Sequence, residues 1–278
     1  MTRTVTDANP EIGRSIAAAG IRTNYHDLGD GAPVLLLHGS GPGVSAWANW
    51  RGVLPPLAQG RRVLAPDVVG FGYTDRPADF TFSHQAWVDH IVGFLDVLDL
   101  PIVSVVGNSF GGALALRLAE RHPERVDRLV LMGSVGTHFE ITPGLDAVWG
   151  YEPSVENMAE LLELFAYDHS LLGPDLARLR YEASIRPGVQ ESYSAMFPAP
   201  RQAGVDAFAL SDEQLRALPH ETLIVHGRDD KVIPLSSSIK LNELIPRSQL
   251  HVFNQCGHWT QIERATEFVH LLEGFLRR

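Results

Sequence analysis

Sulfur, clustered positive charge and long apolar runs are all scarce in this sequence. Its single cysteine, Cys256, excludes an intrachain disulfide. No stretch stays apolar and uncharged for long enough to cross a bilayer, so no membrane association is expected. The opening MTRTVTDANP is polar and leads into no apolar core of signal-peptide length. With so little cysteine, this gives the expectation of a cytoplasmic protein. Lys and Arg form no block, and the formal net charge is −10. Nucleic acid is therefore disfavoured as a partner, because its phosphates demand a basic face. An anionic small molecule would have to be met by local cations working against the overall field. The histidines are scattered, with no His-x-x-x-His and no paired cysteines, and no metal site is expected. Internal repeats and low-complexity segments are absent.

What is present is an ordinary globular composition, 45% hydrophobic over 278 residues. Short apolar runs recur at Val34–His38, Arg62–Pro66, Ile102–Gly107, Arg128–Met132, Thr222–His226 and Leu250–Phe253. Several are apolar on successive residues, as strands buried on both faces require. Helical spacing separates them, as in Gln85–Leu98, where Ser83 is a candidate N-cap. A last helix carries Phe268, Leu271, Leu272 and Phe275. This alternation predicts a mostly parallel α/β sheet flanked by helices, with Arg14–Leu28 supplying an antiparallel pair. It stops near Thr137 and resumes near Glu221. The intervening stretch is rich in helix formers and aromatics. The expected division is a core of residues 1–137 and 211–278 with a helical cap, residues 138–210, inserted in it.

The strongest chemical signal is Gly107-Asn108-Ser109-Phe110-Gly111, placed where an apolar strand run meets a helical pattern. In a nucleophile elbow the serine occupies a strained turn, and small neighbours let strand and helix approach closely. Serine needs a base, and the base needs a carboxylate that precedes it in the chain. His258 follows the last strand run, and Asp229 and Asp230 follow the one before it. All three fall at the carboxyl edge of the sheet, where parallel α/β folds place their sites. Spacing alone does not choose between the two aspartates. Acyl transfer also needs donors for a developing oxyanion. The N–H of Phe110 is one candidate, and Ser40, in the glycine-dense loop His38-Gly39-Ser40-Gly41-Pro42-Gly43, is the other. A phosphate-binding reading of that loop fails for want of the P-loop Lys-Ser/Thr. Cys256 has no elbow and is read as a small buried hydrophobe.

The segments HGSGPGVSAWANW, GNSFGG, LMGSVGTHF, AVWGYEPSVENM, LARLRYEASIRPG, HGRDDKVIP and HVFNQCGHWTQIE closely resemble the meta-cleavage-product hydrolases. These are carbon–carbon bond hydrolases of bacterial aromatic degradation with the α/β-hydrolase fold. The most similar subgroup comprises 2-hydroxymuconate semialdehyde hydrolases and relatives acting on alkyl-substituted ring-fission products. No motif covers the chain up to about Gly13. The resemblance implies a triad of Ser109, Asp230 and His258, so that Asp230 is chosen over Asp229. It implies an oxyanion hole of Ser40 and Phe110, and substrate contacts from Gly41, Asn49, Asn108, Trp259 and a cap arginine, Arg180. Val135 is expected to point into the pocket for the 6-substituent, with Trp149 or Phe165 as alternatives.

The implied reaction takes a 2-hydroxy-6-oxo-2,4-dienoate, ketonises it, and hydrolyses the carbon–carbon bond beside the 6-oxo group. The products are 2-hydroxypenta-2,4-dienoate and a small carboxylic acid. No cofactor is implied, and relatives suggest a homo-oligomer. An ordinary carboxylesterase and a cofactor-free haloperoxidase are rival uses of the same triad. A non-enzymatic binding protein is a weaker rival, since no triad member is missing.

Overall fold

The computed structural model describes residues 9–277, so the polar opening, residues 1–8, lies outside the described residues. Eight strands form one sheet: β1 (Arg14–Ala18), β2 (Ile21–Leu28), β3 (Pro33–Leu37), β4 (Arg62–Pro66), β5 (Val103–Asn108), β6 (Val126–Met132), β7 (Glu221–Gly227) and β8 (Ser248–Phe253). Their order is β1-β2-β4-β3-β5-β6-β7-β8. The first two strands pair antiparallel, β2 is antiparallel to β4, and the remaining pairings are parallel. The expected fold class is therefore observed.

Burial follows position in the sheet. Every residue of the central β5 is buried, whereas the edge strand β8 is only partly covered. Ile102, expected to open β5, is instead exposed just after Pro101, and pairing starts at Val103. Ser83 caps helix His84–Val97, its hydroxyl accepting the Ala86 N–H. Helix Phe110–Arg121 buries Leu114, Leu118 and its run of small residues against β5 and β6. The last helix, Ala265–Leu276, buries Phe268, Leu272 and Phe275 on the opposite side with Trp50 and Leu54.

Between β6 and β7 the chain forms only helices, from Pro143–Trp149 to Asp212–Arg216. The two ends of this insertion meet, since the Leu210 N–H donates to the Gly136 carbonyl at 3.0 Å. Helix Asp212–Arg216 lies beyond that junction and is tied by Asp212 to Lys240 at 3.1 Å. The insertion thus leaves and rejoins the core at the carboxyl edge of the sheet, where β5, β7 and β8 also deliver their loops.

Candidate active site

Ser109 separates β5 from helix Phe110–Arg121 and adopts φ 53° and ψ −114°. A side-chain-bearing residue holds such a conformation only when its surroundings impose it. The Ser109 N–H donates to the Met132 carbonyl at 2.8 Å, and its own carbonyl accepts from Gly112, Ala113 and Val135. Close approach requires the flanking glycines. A Cβ at Gly107 would lie 2.3 Å from the Gly111 carbonyl oxygen, and one at Gly111 would lie 2.2 Å from that of Leu37. Phe110 is the first residue of the helix, so its N–H has no carbonyl one turn earlier to bond. That donor sits directly beside the serine.

Asp230 Oδ2 lies 2.7 Å from His258 Nδ1. Its other oxygen accepts the N–H groups of Val232 at 2.7 Å and Ile233 at 2.9 Å, which fixes the carboxylate in place. Burial alone would raise the Asp230 pKa, but the charge and hydrogen bond of His258, helped by His226 and the Ile233 N–H, outweigh it. The carboxyl is held below its usual value. An ionised Asp230 keeps the His258 proton on Nδ1 and leaves Nε2 as the basic nitrogen. Asp229 is differently placed, partly exposed, with its N–H on the Cys256 carbonyl and its carboxylate near the Cys256 N–H. Burial pushes the Cys256 thiol up to about 12, which removes it as a nucleophile.

Ser109 and His258 line one cavity. Ser40, Gly41, Asn49, Asn108, Arg180 and Trp259 line it as well, so the structure brings these expected residues together. Asn49 accepts the Gly39 N–H through Oδ1, and its buried Nδ2 has no partner. Asn108 donates to the Met132 carbonyl at 3.3 Å. Arg180 is largely buried, and burial lowers its pKa against the opposing charge of Glu11. The rest of the wall is Gly39 and the apolar Pro42, Val44, Leu145, Val148, Met158, Leu162, Phe165 and Val232. An adjoining cavity shares Val44, Asn49, Arg180 and Trp259 with it. Among the described residues, no group of three or more His, Cys, Asp or Glu is placed to hold a metal ion.

Val135 is buried, and its N–H donates to the Ser109 carbonyl at 3.3 Å, which ties the segment after β6 to the elbow. Of the two alternatives, Phe165 lines the cavity, whereas Trp149 braces Ser40, its indole N–H donating to the Ser40 hydroxyl at 3.0 Å.

Comparison with known proteins places this geometry. Residues 32–265 match the family model described as alpha/beta hydrolase fold. A 2-hydroxymuconate semialdehyde hydrolase from a Pseudomonas species is 62% identical, over 96% of this chain and 95% of its own. A 2-hydroxy-6-oxo-2,4-heptadienoate hydrolase from Pseudomonas putida is 60% identical, over 98% of this chain and 99% of its own. The meta-cleavage product hydrolase CumD from Pseudomonas fluorescens, solved with acetates, superposes with a TM-score of 0.96 at 61% identity, covering 97% of this chain and 99% of that one. The chain is a meta-cleavage product hydrolase.

In this meta-cleavage product hydrolase, two site residues, Glu263 and Glu11, escaped the sequence reading. Glu263 accepts the N–H groups of Gly257, Tyr167 and Asp168, clamping the His258 loop to the insertion. Phe165 reinforces the clamp, its carbonyl accepting the His258 N–H at 2.8 Å and its ring stacking on Trp259. Glu11, from the stretch no motif covered, reaches Arg180 and Ser45. Glu263 does end a recognised motif, HVFNQCGHWTQIE, and could have been singled out there. Glu11 gives no such signal.

Proposed function

We propose that this chain hydrolyses the C5–C6 bond of a 2-hydroxy-6-oxo-2,4-dienoate bearing hydrogen or a small alkyl group at C6. The observation that carries this reading is the polarity of the cavity. Asn49 and Arg180 form a wall suited to a carboxylate, the Ser109 and His258 side chains line the same space, and the apolar wall suits a 6-substituent. Guanidinium geometry favours bidentate capture of a carboxylate. His258, held by Asp230, moves the proton that ketonises the dienol, and the ketone then accepts the electrons of the breaking bond. Ser109 is the nucleophile at C6, and the N–H groups of Phe110 and Ser40 receive the oxyanion. Ketonisation moves the 2-hydroxyl hydrogen to C5, and water then supplies the oxygen of the released acid and the proton that returns the leaving dienolate to its 2-hydroxy form. The insertion, residues 138–210, serves as a cap on a core of residues 1–137 and 211–278. Its wall residues and its brace on Ser40 support that division. A cytoplasmic location and a homo-oligomeric state accompany this reading, and light scattering would measure the latter. No helix among the described residues is long and apolar enough to cross a membrane.

The test is incubation with 2-hydroxymuconate semialdehyde, its 6-methyl and 6-phenyl analogues, and a simple aryl acetate. Loss of the dienolate absorbance with release of formate or acetate is expected from the first two. Turnover of the ester alone would make the protein a carboxylesterase.

The size limit on the 6-substituent falls to the cap wall. Val148→Ala is expected to raise kcat/KM on a branched 6-alkyl substrate, relative to the semialdehyde, by about 10-fold, the scale of one or two methylenes of added space. Competition between the two substrates reads the ratio directly. A uniform fall across the series would assign Val148 to packing alone.

A further inference from the structure

The carboxylate nearest the Arg180 guanidinium belongs to the protein itself. Glu11 Oε1 lies 3.6 Å from Arg180 Nη1, a distance that makes an ion pair but no hydrogen bond, so the pair consumes none of the guanidinium donors. Glu11 does not depend on Arg180 for its position. Its Oε2 accepts the Ser45 hydroxyl at 2.9 Å, its carbonyl accepts from Asn24 Nδ2 at 3.0 Å, and its N–H donates to Asn9 Oδ1 at 3.0 Å. Ser45 in turn caps helix Ala46–Trp50, which carries the cavity residue Asn49. A fixed anion is thus anchored on the core, behind the cation that faces the cavity. Arg51 and Arg186 add positive potential near Arg180, and Glu11 opposes it.

The reaction gives this arrangement a purpose. Cleavage leaves the C1 carboxylate on the five-carbon dienoate, so substrate and product present the same group to Arg180. An unopposed guanidinium in a largely buried wall would hold both tightly and slow the departure of the product. We propose that Glu11 is the resident counter-ion of Arg180, weakening carboxylate binding at this wall so that the carboxylated product leaves. The proposal rests on the dienoate reading above. Glu11 touches no reacting atom; it sets the strength of the residue that does the binding.

Sorbate, the unreactive 2,4-hexadienoate, is a suitable probe, and its affinity is measured by calorimetry on four proteins. These are the wild type, Glu11→Gln, Arg180→Gln and the double variant. Glu11→Gln keeps an acceptor for Ser45 while removing the charge, and is expected to tighten sorbate by about fivefold, the upper range for a partly solvated ion pair. KM for the dienoate should fall by a similar factor without a rise in kcat. In the Arg180→Gln background the same change should have no effect, since additivity fails only between interacting groups. Glu11→Asp, which retains the charge, should bind sorbate nearly as the wild type does. Weaker or unchanged binding in Glu11→Gln overturns the proposal. So does an equal effect with and without Arg180, or no sorbate binding by any of the four. A wild type that binds sorbate with the expected cycle, yet consumes no ring-fission product, would sink the substrate reading and leave the Glu11 pairing standing.

Discussion

Ser109→Ala and His258→Ala are each expected to lower turnover of a ring-fission dienoate by roughly four orders of magnitude or more, because members of such a triad act as a unit. Asp230→Asn is expected to cost about 1,000-fold or more, since an amide removes the charge and the acceptor that hold the His258 tautomer. Asp229→Asn should stay within about threefold of wild type, the range of a partly exposed substitution that keeps its local hydrogen bonds. The contrast rests on distances: Asp230 Oδ2 stands 2.7 Å from His258 Nδ1, while Asp229 bonds the Cys256 backbone and pairs with Arg228. Rapid-scan absorbance of the dienolate separates ketonisation from cleavage in each variant. Melting temperature shows whether a variant is folded. Equal damage from the two aspartate variants would overturn the assignment of the acid.

The physical reason that this much was legible is that strands and elbow are local. A strand buried on both faces must be largely apolar on successive residues; Val34–Leu37 is so throughout, and Val103–Val106 is broken only by Ser104. The elbow needs small residues at fixed offsets from the serine, and Gly107 and Gly111 occupy positions where a Cβ would strike backbone. Adjacent aspartates defeat that kind of reasoning. Both leave the same strand, and only the turn that sends the Asp230 carboxylate to the Val232 and Ile233 N–H groups decides between them. The least legible contacts join segments distant in sequence. Glu11 reaches Arg180, and Glu263 reaches Tyr167 and Asp168, across the junction of core and insertion. Neither pairing leaves a trace in spacing or periodicity.

Arg180→Gln is expected to lower kcat/KM on the dienoate by roughly 10-fold or more, the scale of a lost hydrogen bond to a charged group. The whole chain carries a net charge of −10, so a carboxylate approaches against the average field and depends on a local cation. Arg180 lines both the reactive cavity and its neighbour, as Asn49 and Trp259 do. A neutral aryl acetate places no anion against that wall, and its hydrolysis should change little in the same variant. Arg180→Lys should fall between, because an ammonium restores the charge without the planar pair of donors. The measurement is the ratio of kcat/KM values for the two substrates in wild type, Arg180→Gln and Arg180→Lys. If ester and dienoate decline together, Arg180 supports the fold of the cap and the carboxylate is bound elsewhere. Asn49, with its unpartnered Nδ2 in the same wall, would then be the first residue to test.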